Sequence, residues 1–415
     1  MQNPAKHTVV VGAGIVGVSA AVWLARAGQR VTLIDSHPPG EGASHGNGGV
    51  LAACAMVPVT TPGLKRKSVG LLMNPEFPLF LRWSYLPKLA PWLLQYLSFA
   101  NDTDTRRIAE HLTYITGDSV EQHLDLAGNT QADRWVTPSD YQFAYTSRKA
   151  FEADSYAWSL RRENGFDFTL LEGEAVQEKE PALGKNIQLL AVLKKHGHIT
   201  SPGRYVKALA TVLQELGGQV QQAKVRQFEL IDDKVTAVQT DQGRVECDSA
   251  VIATGAWSGP LGEQLGLKVP LESERGYHVI FKNPSRKLNT PTMITSGKFV
   301  ATPMHDGMRC AGIVEFGGLD AGPSRKPIEL LMRHARNTFP DVTYDETVEW
   351  LGHRPAPTDS LPFLGQIRNT EVYAGFGHQH IGLTGGAKTG RLLAGLITGT
   401  QDPDELAAYR PDRFS

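Results

Sequence analysis

The stretch from Thr8 to Asp35 constrains this chain more than any other. Thr8-Val9-Val10-Val11 is a β-branched run that reads as a buried strand, and it feeds the turn Gly12-Ala13-Gly14-Ile15-Val16-Gly17. A helical run follows, apolar at Ile15, Val18, Val22 and Ala25, and ends at Ala27-Gly28. A second apolar strand, Arg30 to Ile34, closes on Asp35 and Ser36. In such a unit Gly12 permits the tight turn, Gly14 lets the backbone approach a pyrophosphate, and Gly17 lets helix and strand pack closely. The pyrophosphate sits on the positive end of the helix, which brings the first-turn residues Ile15 and Val16 into the site. Asp35 lies roughly twenty residues on, where a carboxylate accepts ribose hydroxyls. The unit predicts a dinucleotide site and leaves NAD and FAD both open.

At 415 residues the chain exceeds one core, so two domains are expected. A net charge of −1 gives no electrostatic reason to expect nucleic acid. Cys54, Cys247 and Cys310 are scattered and form no C-x-x-C pair, which predicts reduced packing residues in a cytoplasmic protein. The first strand starts too early to leave space for a signal peptide, and no apolar run approaches the ~18 residues that cross a bilayer.

Further along, Pro38 to Gly49 is rich in small residues, as suits backbone lying against a flat ligand; a surface loop is the plainer reading. Residues 69–100 concentrate aromatics and leucines, broken by Pro75, Pro78, Pro87 and Pro91. We expect short helices roofing a substrate pocket. A peripheral contact with the inner face of a membrane is the second reading, weakened by the lack of a basic face. One helix is expected from about Asp104 to Ala127, another after Ser201-Pro202 as far as Leu216, and an exposed one over 326–339. Gln219 to Val225, Phe228 to Ile231 and Lys234 to Gln239 alternate like an antiparallel meander. Ala250 to Gly255 is again a strand ending in glycine, and Val372 to Thr384 repeats the strand and glycine loop before a last helix.

Side by side, these segments resemble the D-amino-acid oxidase superfamily of FAD enzymes, nearest its bacterial D-amino-acid dehydrogenase branch, which includes D-hydroxyproline dehydrogenases. The resemblance is carried by Gly12/Gly14/Gly17/Asp35, Gly42-Ala43-Ser44…Asn47-Gly48-Gly49, Ala253-Thr254-Gly255-Ala256-Trp257-Ser258, Gly352-His353-Arg354-Pro355 and Gly377-His378…Gly382-Leu383-Thr384. It implies an α/β (α+β) architecture: a discontinuous Rossmann-like FAD-binding domain (1–60, 101–130, 195–262, 347–415) with an inserted substrate domain on a mixed or antiparallel sheet (61–100, 131–194, 263–346). It implies FAD, held non-covalently, because His45 lies one place from where some sarcosine-type dehydrogenases attach the flavin.

By the same likeness Ser44, His45, Asn47, Gly49 and Val50 run along the flavin, and Val225 meets the adenine. Ala253, Gly255 and Trp257 lie near the cofactor's middle, while Gly377 and Ile381-Gly382-Leu383-Thr384 aim a helix N-terminus at the flavin's pyrimidine edge. Arg354 takes the family's carboxylate-binding place, where a guanidinium fork binds a planar carboxylate bidentately; an ordinary surface ion pair is the alternative. The His380 carbonyl matches the acceptor of the substrate amine, while His378 and His353 are expected to be structural. No metal site is expected. Val300 stands where glycine-oxidase-like relatives carry a tyrosine, which leaves Tyr277 as candidate second partner of the carboxylate.

The reaction this implies is oxidation of a D-amino acid, or of a cyclic imino acid such as D-proline or its hydroxy derivative, by hydride transfer from Cα to flavin N5. The product is an imino or 2-oxo acid, and the electrons pass to a quinone or another acceptor. The rivals are a glycine- or sarcosine-type amine oxidase producing hydrogen peroxide, and a flavin-bound accessory subunit without its own substrate.

Overall fold

Val9, Val10 and Val11 are all buried, so the strand they form needs cover on both faces. The computed structural model, which describes residues 5–74 and 76–414, supplies it. His7–Val11 lies inside a six-stranded sheet, ordered Phe363–Gln366, Val372–Phe376, Ser249–Ile252, His7–Val11, Arg30–Asp35 and Gln219–Gln222. Every pairing is parallel except the antiparallel edge Phe363–Gln366. Val10 faces a helical layer of Ile15–Arg26, Pro202–Glu215 and Gly382–Thr398, while Val9 and Val11 face a small antiparallel sheet.

That small sheet is Val225–Ile231, Lys234–Thr240 and Gly243–Glu246. The expected meander therefore starts later than its alternation suggests, because Gln219–Gln222 runs parallel to Arg30–Asp35 as an edge strand. Both ends of the chain share the helical layer. A side chain at Gly390 would overlap Ser19 and the Ala20 backbone, and one at Gly386 would press on Ile15. The first and last helices thus pack at a distance only glycine allows.

The second large sheet runs Thr347–Pro357, Leu271–Phe281, Gly307–Phe316, Phe299–Met304, Thr292–Ile294, Val136–Tyr145, Leu189–Ile199 and Val50–Leu51. Thr347–Pro357 is paired along its length with Leu271–Phe281, so it sits with this sheet rather than with the 347–415 segment expected to hold the cofactor. One face carries Tyr277, Val279, Phe281 and Cys310 under the helix Arg325–Thr338. That helix is not exposed all round: Ile328, Leu331 and Ala335 are buried. The other face floors the cavity described below.

The single helix expected over 104–127 is two, Asp102–Thr116 and Ser119–Ala127, parted at Gly117. Asn101 rather than a residue nearer Asp104 caps the first, accepting from the Asp104 N–H at 3.0 Å. Ser201 stands at the N-cap of Pro202–Glu215 but makes no side-chain capping bond. In the aromatic segment Pro75 lies outside the described residues, as do the side chains of Leu71 and Leu72. The helix Leu86–Ser98 is amphipathic, with Leu89, Trp92 and Tyr96 buried. Among the described residues no helix is long and apolar enough to cross a membrane.

Candidate functional site

A cavity of about 1960 Å³ lies between the two large sheets. One end is built by the glycine turn. Gly12 has φ +109°, and a side chain there would overlap the Ala253 carbonyl. Its neighbours Gly14, Ile15 and Val16 line the cavity where the helix Ile15–Arg26 begins. Asp35 accepts from the Ala13 N–H at 2.7 Å and from the His37 N–H at 2.9 Å. These bonds fix the carboxylate beside the turn and leave lone pairs for hydroxyl donors. Ser36, Lys224 and Val225 line the same end.

From there the cavity follows the loop Ala43–Gly48. Ser44 Oγ accepts from the Ile15 N–H at 3.0 Å, so this loop caps the helix it adjoins. Three side chains from the cavity floor hold the loop's carbonyls. Arg309 Nη1 donates to His45 O at 3.0 Å and Asn47 O at 2.7 Å; Thr302 donates to Gly48 O at 2.7 Å; His278 Nδ1 meets Gly46 O at 2.9 Å. Arg309 is 4 % exposed, and burial brings its guanidinium down to about 10. Small residues are needed here: a side chain at Gly46 would overlap Trp350, and one at Gly48 would press on Val300.

At the far end Gly382, Leu383 and Thr384, the first turn of Gly382–Thr398, face the cavity. Thr384 Oγ1 donates to Val50 O at 3.1 Å and so joins the last helix to the loop. Arrayed N–H groups at one end, a carboxylate and glycine turn at the other, and a strapped small-residue loop between them fit an elongated dinucleotide.

Arg354 lines the same cavity. Its Nη1 donates to Ile313 O at 3.1 Å, and Gly276 leaves the room its guanidinium occupies. Ile313 has φ +62°, a conformation that strains a β-branched residue, and it is the extra residue of a bulge between Gly307–Phe316 and Leu271–Phe281. The bulge turns its carbonyl toward Arg354. Glu274, paired in register with Arg354, also lines the cavity. Burial pushes its carboxyl up to about 7 against the pull of Arg354. His380 is open to the cavity; desolvation and the Arg354 charge bring it down to about 4, so the ring is neutral at pH 7.

Leu89, Trp92, Leu93 and Tyr96 roof this region, and Trp92 Nε1 is anchored on Ala356 O at 3.0 Å. His378 is committed to Thr389 Oγ1 at 2.9 Å and His353 to Ser273 Oγ at 2.8 Å.

Several sequence expectations change. The Tyr277 hydroxyl donates to Glu315 at 2.5 Å and accepts from the Ser324 N–H. Glu274 and Gly276 line the cavity, and so does Tyr277, whose ring packs in one cluster with Val279 and Phe281. Gly17, His45, Gly49, Gly377 and Ile381 do not line the cavity. A side chain at Gly17 would overlap the Gly12 carbonyl, so its role is packing beneath the turn. The His45 ring lies between Gly203 and Trp350. Gly49 and Gly377 turn the chain at φ +79° and +86°, and Ile381 is buried in the helical core. The remaining assigned cofactor residues, Asn47, Val50, Ala253, Gly255 and Trp257 included, line the space.

Sequence reasoning missed Glu274, which lies in a strand buried on both faces, and Gln379, whose buried Nε2 has no partner. Among the described residues no group of three or more His, Cys, Asp or Glu is placed to hold a metal ion.

Known proteins agree with this architecture. The family described as "DAO: FAD dependent oxidoreductase" matches residues 7–396. A D-amino-acid oxidase of Bradyrhizobium diazoefficiens is 38 % identical over 418 residues, covering 99 % of each chain. A D-amino acid dehydrogenase of Paramagnetospirillum magneticum is 29 % identical over 98 % of each. The solved glycine oxidase of Geobacillus kaustophilus superposes with a TM-score of 0.74 over 99 % of both chains at 20 % identity, a likeness of fold.

Proposed function

Because the chain belongs to the DAO family of FAD-dependent oxidoreductases, we propose that its substrate is a D-amino acid, with D-proline or a hydroxylated D-proline inside the range, and that it works as a dehydrogenase. When bound, FAD supplies the acceptor for the hydride, which carries the electron pair away from Cα. Arg354 grips the α-carboxylate through its two terminal nitrogens, oriented by the Ile313 carbonyl. Neutral His380 adds no second cation to compete for that carboxylate, and its backbone carbonyl faces the amine. Leu89, Trp92 and Tyr96 exclude water above the substrate. The N–H groups that open Gly382–Thr398 favour negative charge at the flavin end.

The observation that carries this reading is Arg354 itself: a guanidinium inside the cavity, aimed by backbone carbonyls. Anaerobic bleaching of the flavin by D- but not L-amino acids is the expected result. Bleaching by neither sinks the reading and leaves the accessory subunit. The 38 % identical relative named as an oxidase favours a second reading, an amine oxidase. Stoichiometric peroxide in air selects it over electron delivery to a quinone. Non-covalent FAD is supported by the position of the His45 ring against Trp350, away from the cavity lining; acid precipitation releases all the flavin if this holds. Trp83 and Leu94, 62 % and 72 % exposed in the aromatic segment, offer a surface for meeting a membrane-held quinone.

A further inference from the structure

A second guanidinium in the cavity has no part in the function just described. Arg161, on the helix Ser155–Glu163, is 8 % exposed and lines the cavity beside Cys54, Tyr141 and Phe143. Its guanidinium carbon lies 4.4 Å from the Phe143 ring centroid and 4.6 Å from that of Trp158. Its Nε has no hydrogen-bond partner. Buried Arg275 is matched by Glu315 at 3.1 Å, and among the described residues Arg161 has no such counterpart. The nearby Cys54 is no anion either, since burial pushes its thiol up to about 11. Ring faces compensate a buried cation only in part. The position is one where an anion from outside the protein would be welcome.

The sheet places this cation relative to Arg354. Phe143 pairs with Met293, Met293 with Val300 and Val300 with Ala311, so all four share the cavity face. Arg354 reaches across to the strand Gly307–Phe316 at Ile313, and Arg161 stands over Phe143, three strands further along the same floor. The Arg354 guanidinium itself fills the space over Gly276, on the strand beyond, so the two cations stand at opposite ends of this floor. The side chains between the arginines, Met293 and Val300, are apolar and suit a methylene chain.

We infer that Arg161 is a distal anion-binding residue, and that the preferred substrates are amino acids whose side chain ends in a second carboxylate. The inference rests on the reading of Arg354 as ligand of the α-carboxylate.

The test uses the FAD-loaded enzyme. Anaerobic flavin reduction is compared for D-glutamate and D-2-aminoadipate against D-glutamine and D-norleucine, their nearest uncharged counterparts. The acids are expected to be favoured by about tenfold or more, Arg161→Met to abolish that ratio and Arg161→Lys to keep part of it. In parallel, glutarate and pentanoate are titrated as unreactive ligands, read by flavin absorbance and thermal shift. Glutarate is expected to bind more tightly to the wild type, and this comparison needs no variant. If neutral D-amino acids reduce the flavin as well as acidic ones, or glutarate binds no better than pentanoate, the distal site is wrong while the amino-acid reading stands. If no amino acid reduces the flavin, that reading falls, and the glutarate comparison alone still decides for or against Arg161.

Discussion

Glu274 and Arg354 stand opposite each other on paired strands, both turned into the cavity, and do not close an ion pair. Burial lifts the Glu274 carboxyl to about 7, so it is largely protonated below that pH and ionised above it. Once ionised, it competes with an incoming carboxylate for the Arg354 charge. Binding of an unreactive monocarboxylate should therefore weaken several-fold as pH rises from about 6 to about 8, and Glu274→Gln should flatten the profile. Flavin difference spectra measure both. A wild-type affinity independent of pH would contradict the assignment.

Replacing Arg354 removes a desolvated charge from its partner. Arg354→Met should lower kcat/KM for D-amino acids by about 100- to 1000-fold, with flavin content unchanged. Arg354→Lys should fall between, because an ammonium keeps the charge and loses the fork. Stopped-flow reduction separates the binding step from the chemistry.

Arg309 holds the carbonyls of His45 and Asn47 from beneath the loop. Arg309→Met strips both of a partner, at about 1–3 kcal/mol each. The loop should loosen and the FAD dissociation constant rise by about tenfold or more, as followed by flavin fluorescence during reconstitution of the apoprotein.

Gly390→Ala sets a methyl against Ser19 and the backbone of Ala20. We expect a loss of about 1–3 kcal/mol and a lower melting temperature, because neither neighbour is a flexible side-chain tip that could yield. Gly28→Ala is the contrast: it has open space but φ +80°, so its cost is conformational alone.

The glycine turn and Asp35 were legible because their constraints are local: a φ only glycine adopts, and a contact only glycine permits. The choice between Tyr277 and Glu274 was not. Leu271–Phe281 is buried on both faces, so polarity does not alternate along it, and only the sheet order says which face meets the cavity. Arg161 and Arg309 were hidden for a related reason, since each gains its meaning from a segment more than a hundred residues away. Gly117 and the edge strand Gln219–Gln222 show the reverse error, where a smooth local pattern concealed a break or a different partner.

The close seat of the last helix on the first also sets an order of assembly. On a ribosome, the opening strand and its glycine turn emerge early, yet their neighbours Ser249–Ile252 and Val372–Phe376 and the covering helix Gly382–Thr398 are made late. Until then the nascent chain carries an unpaired apolar strand edge, the kind of surface that aggregates. Flavin capture must wait for the closing stroke of synthesis, and a chain released before the last helix would hold neither its cofactor nor its N-terminal layer.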